Sequence, residues 1–122
     1  MIEYKDGDRV AVITLCGSKV EVSPYFEIKM NPSNGLIWSS DEFYHFGSRC
    51  NRRYLYQPER PLSVSQAPIA HLPAIHVYAR EQDQAAAIEY LKACARVTLT
   101  KHLEELRELT NSRLEILKRI EI

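Results

Sequence analysis

Residues 80–122 run REQDQAAAIEYLKACARVTLTKHLEELRELTNSRLEILKRIEI, without a glycine or a proline. Ile88, Leu91, Ala95, Leu99, Leu103 and Leu106 recur at spacings of three and four, and Leu109, Leu114, Leu117 and Ile120 continue the stripe. This is the pattern of an amphipathic α-helix. Unbroken from Gln82 to Glu121, it would be about 60 Å long at 1.5 Å per residue. A compact chain of this size has a radius of gyration of only about 13–14 Å. Two outcomes resolve the mismatch. Either the helix breaks near Val97-Thr98-Leu99-Thr100, where β-branched residues weaken helix propensity, and forms a helical hairpin. Or it stays long, and the overhang buries its stripe against another chain. In the second case Leu99, Leu103, Leu106, Leu109, Leu114 and Leu117 are the expected contacts of a homodimer. Strict coiled-coil heptads fail after Leu99, Leu103 and Leu106, because Thr110 and Arg113 come next, so regular knobs-into-holes packing is not expected in the last turns. The charges from Lys101 to Arg119 are mixed in sign, as on a solvated face.

Upstream the pattern changes from helical to two-residue periodicity. Lys5-Asp6-Gly7-Asp8 is a turn cluster in which Gly7 can take positive φ. Arg9 to Cys16 is nearly continuous Val, Ala, Ile and Leu, the composition of a strand covered on both faces. Cys16-Gly17-Ser18 suits a tight turn. Val20, Val22, Phe26, Ile28 and Met30 then occupy even positions with polar residues between, which predicts one buried and one wet face. Pro24 removes a ladder donor and predicts a bend or an edge there. Asn31-Pro32-Ser33-Asn34-Gly35 reads as a hairpin turn, returning through Leu36-Ile37-Trp38. Ser39 with Glu42 matches a capping box and Gly47 suits a helix C-terminus, so a helical turn over 41–46 competes with a strand. Arg53 to Tyr56 is the expected last strand of this part. Four prolines between Pro58 and Pro73 favour extended backbone in the next stretch, with Ala74–Tyr78 able to add an edge strand.

The expected fold class is therefore α+β: residues 1–57 as a small antiparallel sheet or SH3-like barrel, 58–79 as a Pro-rich connector packed on it, and 80–122 as a long amphipathic helix or helical hairpin.

Composition narrows the function. Sixteen basic and sixteen acidic residues leave the 122-residue chain formally neutral, which weighs against a purely electrostatic nucleic-acid binder. No apolar run approaches the roughly 20 residues of a bilayer span. Three unpaired-looking cysteines, Cys16, Cys50 and Cys94, suit a reducing, cytoplasmic setting, and the two in apolar patterns, Cys16 and Cys94, are expected to be buried. His45, Cys50, His71, His76 and His102 lack zinc-ligand spacing, so no metal or cofactor is expected.

The local exception to neutrality is 49–60, where Arg49, Arg52, Arg53 and Arg60 stand against the single acid Glu59. They interleave with Tyr54 and Tyr56 and follow Tyr44 and Phe46. Arg and aromatic side chains of this kind dominate interface hot spots, so the expected function is a non-enzymatic accessory or regulatory protein that occupies a protein partner's surface. Arg pairing with phosphate and Tyr stacking on bases make a nucleic-acid module the alternative. A small enzyme using Cys50, its thiol acidified by neighbouring arginines and served by His45, is the second alternative. Small size and neutral charge also suit an accessory factor of a phage or mobile element.

Overall fold

The computed structural model describes residues 1–30, 36–39, 49–51, 54–64 and 74–121. Six strands form one antiparallel sheet: β1 (Arg9–Cys16), β2 (Lys19–Val22), β3 (Phe26–Met30), β4 (Leu36–Ser39), β5 (Arg49–Asn51) and β6 (Ala74–Ala79). A 3-10 turn at Glu81–Asp83 leads into one helix, α1 (Gln84–Ile120). The α+β class is as expected. Among the described residues the path β2-β1-β3-β4-β5, with β6 on the other side of β1, does not return on itself, so the sheet is open and the barrel alternative falls.

β1 is the centre because its side chains are apolar on both faces. Val10 and Val12 join Tyr4, Phe26, Ile28, Leu55 and Tyr78 in one core. Ile13 and Leu15 join Tyr56, Val77, Ala79, Ala87 and Leu91 in a second core under α1. β6 pairs with β1 over its whole length, from Ala11↔Ala79 to Cys16↔Ala74. Ala74–Ala79 is thus a full member of the sheet and not part of a connector. The single turn Gly17-Ser18 joins β1 to β2, with Gly17 at φ 62°. Gly7, at φ 90°, donates its N–H to the Ile28 carbonyl, and Lys5 N–H bonds the Asp8 carboxylate at 2.8 Å. Cys16 ends β1 at this exposed hairpin and is itself exposed, contrary to its apolar sequence context.

The partner edge of β1 carries a bulge that the even-position pattern concealed. Ile13 faces Val22, and Val10 faces Phe26. Between them β1 has Ala11 and Val12, whereas the other side has Ser23, Pro24 and Tyr25. The extra residue switches faces. Val20 packs toward the helix side, while Phe26 and Ile28 enter the opposite core. Val22, opposite Ile13, stays 38% exposed. Ser23 maintains the ladder through the bulge: Val12 N–H donates to its Oγ at 2.8 Å, and its own N–H donates to the Val12 carbonyl at 3.0 Å. Pro24 sits where no ladder donor is required. The displaced Tyr25 hydroxyl reaches Gln84 Oε1, at 2.5 Å, at the start of α1.

Two further expectations are corrected. Of the strand expected at 53–56, Arg53 lies outside the described residues and Tyr54–Tyr56 form no strand: Leu55 makes a parallel bridge to Tyr78, and the strand nearest in sequence is β5. The helix runs unbroken through Val97–Thr100, so there is no hairpin. Propensity losses of a few tenths of a kcal/mol per residue there are outweighed by packing, since Thr98 is buried. The 39–47 question and the Asn34-Gly35 turn lie mostly or wholly outside the described residues.

The face switch has a direct test. Phe26→Ala should lower unfolding free energy by about 3–5 kcal/mol, and Val22→Ala by no more than about 1 kcal/mol, in chemical denaturation. Similar costs at both positions would place them in the same core and remove the bulge from the account.

Candidate functional site

α1 has two halves with different surroundings. Its buried residues are Ala87, Leu91, Cys94, Thr98 and His102, a stripe at spacings of four and three whose first members, Ala87 and Leu91, pack on β1 and β6. Beyond His102 no described residue of the helix is buried. The second half, about 18 residues or roughly 27 Å at 1.5 Å per residue, therefore projects from the domain. Its large apolar side chains remain in water: Leu103 is 66% and Ile120 74% exposed, and Leu106, Leu109, Leu114, Ile116 and Leu117 are exposed as well.

These side chains are not scattered. Eighteen residues make about five full turns at 3.6 residues per turn. Leu109 consequently lies on the same line as Leu91, Ile116 on that of Thr98, and Ile120 on that of His102. The face that packs on the sheet continues straight onto the projecting half. Ion pairs run along the helix, Lys92–Glu89, Lys101–Glu105 and Lys118–Glu115, at 3.6–3.9 Å, with Glu105 on the line of Ala87 at the margin of the packing face. Glu81 and Asp83 stand at the helix start and Lys118 and Arg119 in its last turn, both favourable to the helix dipole.

At the root of the projection a cleft of about 610 Å³ wraps around the outer edge of β6. Tyr54, His76, Tyr90, Leu91, Cys94 and Thr98 are among its lining residues, with Arg60 and Ser63. The His76 ring stacks on Tyr54 at 4.9 Å and meets Tyr78 edge-on at 6.1 Å. Burial among these rings holds its imidazole below the ordinary histidine pKa. The Tyr90 hydroxyl donates to the Pro61 carbonyl at 3.2 Å, and burial raises its pKa. The Cys94 thiol is buried, with Ser63 Oγ 3.9 Å from its sulfur.

A second anchor ties the helix start to the N-terminal segment. The Tyr4 hydroxyl donates to the Tyr56 carbonyl at 2.6 Å, and the Arg80 guanidinium lies 5.5 Å from the centre of the Tyr4 ring. Arg80 also bonds Asp83 at 3.0 Å. Burial, reinforced by the nearby Asp83 charge, pushes the Tyr4 phenol up to about 12.

The structure divides the residues expected to bind a partner. Tyr56, expected at the surface, is instead a core residue, meeting Tyr90 edge-on at 6.0 Å. Tyr54 is half-buried against His76, and Arg60 is half-exposed at the cleft. Arg49 pairs by backbone with Trp38, and Cys50 with Ile37, in the β5–β4 ladder. Tyr44, His45, Phe46, Arg52, Arg53 and His71 lie outside the described residues. Of the oligomerisation residues, Leu103, Leu106, Leu109, Leu114 and Leu117 are exposed on the projecting half, and Leu99 is 38% exposed just before it. Ile116 and Ile120 join them; the recurrence after five turns was the available signal. Tyr4, Tyr90 and Thr98 carried no local signal, because long-range pairing places them. Among the described residues no cluster of His, Cys, Asp and Glu could hold a metal ion, and no helix is long and apolar enough to cross a membrane.

Comparison with protein-family models, with curated proteins and with solved structures finds no match to this chain.

The His76 environment predicts a pH effect. Its pKa is lower folded than unfolded, so the unfolded chain takes up the proton first as pH falls. Stability is retained above the unfolded value near 6.5 and decreases as pH drops from there toward the folded pKa, below which the loss levels off. Denaturation midpoints between pH 7.5 and 5 should fall in the parent protein and fall less in His76→Phe. Identical profiles would mean that the imidazole is not desolvated in the fold.

Proposed function

We propose that this chain is a non-enzymatic protein-interaction module. A small sheet-and-helix head presents the projecting half of α1 to a protein partner, as befits an accessory or regulatory factor. The observation that supports this reading is the apolar stripe from Leu103 to Ile120, interrupted at Arg113 and left in water among the described residues. Contiguous apolar surface on this scale is rare on monomeric proteins and marks interaction sites. An amphipathic helix offering residues at i, i+3, i+4 and i+7 is a recurrent recognition element. This moves the expected interface from the 49–60 segment, where Tyr56 belongs to the core, to the helix.

The test compares the parent chain with Leu106→Glu/Leu109→Glu. Both sites are exposed, so the denaturation midpoint of the head should be nearly unchanged, within about 0.5 kcal/mol per site. Proteins retained by the parent after nuclease treatment should be lost by the variant. Retention of the same proteins by both would reject the stripe as the interface, and retention abolished by nuclease would transfer the function to nucleic acid.

A further inference from the structure

We infer that the surface covering the projecting half of α1 is the same surface of a second copy, laid antiparallel. The inference rests on the interaction reading above and names its partner.

The argument begins with the seam. With Leu106 taken as an a position, the a positions are Leu99, Leu106, Arg113 and Ile120, and the d positions are His102, Leu109 and Ile116. Leu103, Thr110 and Leu117 flank this seam on its e side, and Glu105, Ser112 and Arg119 on its g side. His102 is buried in its own domain and marks where the seam becomes available. Beyond His102 this frame leaves one discordant residue, Arg113, and that residue decides the orientation.

In a parallel, in-register pair Arg113 would face the second copy's Arg113 inside the seam. Like charges would then oppose each other with little water between them. The flanks would not compensate, because Glu105 would face Thr110 and Ser112 would face Leu117. In an antiparallel pair, residues whose numbers add to about 222 face one another. Leu106 then meets the second copy's Ile116, Ile120 reaches the rim of the second copy's domain where His102 is already buried, and Arg113 lies beside Leu109, where its long stem can carry the guanidinium to the rim. Leu103 meets Leu117 on one flank. On the other, Glu105 meets Arg119, twice by symmetry.

The dimensions agree with this pairing. It is centred on Asn111, at the middle of the projecting half. Residues 103–120 of each copy are then covered by the same residues of the other. Leu103, Leu106, Leu109, Ile116, Leu117 and Ile120 leave water in each copy. Leu99 lies on the domain side of the overlap, and Leu114 falls off the seam. Glu105 and Arg119 are about four turns apart in one helix, so they can meet only between copies. Among the described residues the ion pair that Glu105 makes is a distant one with Lys101, at 3.9 Å.

The test is a charge exchange in the full-length chain, read by light scattering across concentrations, with far-UV circular dichroism confirming helix content. The parent should be dimeric at tens of micromolar. Glu105→Arg alone and Arg119→Glu alone should each weaken the dimer roughly tenfold, the scale expected when two exposed pairs become repulsive. An equimolar mixture of the two single variants should regain parental association, because both contacts become attractive again. Loss of the Lys101 contact cannot produce that recovery. A parent that remains monomeric near millimolar concentration overturns the inference, as does a mixture that associates no better than either variant. If the parent is monomeric but Leu106→Glu/Leu109→Glu still loses a captured protein, only the second copy is wrong. If that variant also changes nothing, the interaction reading fails as well.

Discussion

β1 is eight residues long, about 26 Å at 3.3 Å per residue, and its longest partner, β6, has six. α1 has 37 residues, about 55 Å. A sheet of that depth can support roughly the first half of such a helix. The burial follows this limit: the stripe from Ala87 to His102 is buried, and beyond it the described residues are exposed apart from half-covered Glu105. With no glycine or proline to turn the chain, the helix continues past its support. The exposed stripe, and with it the proposed function, follows from this difference in length.

The supported half is held firmly in place. Tyr25, displaced by the bulge, bonds the first residue of α1, and Arg80 connects the end of β6 to both Tyr4 and Asp83. The N-terminal segment is fixed from the other side by the paired amide contacts of Ile2 with Gln57 and by the terminal ammonium on Glu59. The direction in which the helix leaves the domain is thus set by several contacts at its start. Positioning of this kind limits the ordering cost when the projecting half meets a partner.

Much of this was legible in the sequence where local chemistry governs. The doubly apolar run of β1, the positive φ of Gly7 and Gly17, and the helical spacing after Arg80 each depend on neighbours a few residues away. What escaped depends on distant pairing. The alternation from Val20 to Met30 has the same parity before and after Pro24, so nothing in the pattern reveals that the bulge sends its two halves to opposite cores. Tyr56 beside arginines resembles a surface residue, yet its N–H bonds the Tyr78 carbonyl and its ring joins the core under α1. Arg113 interrupts the strict heptad, and the proposed seam based on Leu106 and Leu109 keeps it as the single discordant residue beyond His102.

An isolated helix of about 18 residues is only marginally stable in water, so the projecting half depends on whatever covers its stripe. Amide hydrogen exchange at increasing protein concentration tests this most directly. The account predicts that protection over 84–102 is independent of concentration, while exchange over 103–120 slows as concentration rises and the second copy covers the stripe. Exchange over 103–120 that is the same at every concentration would contradict it.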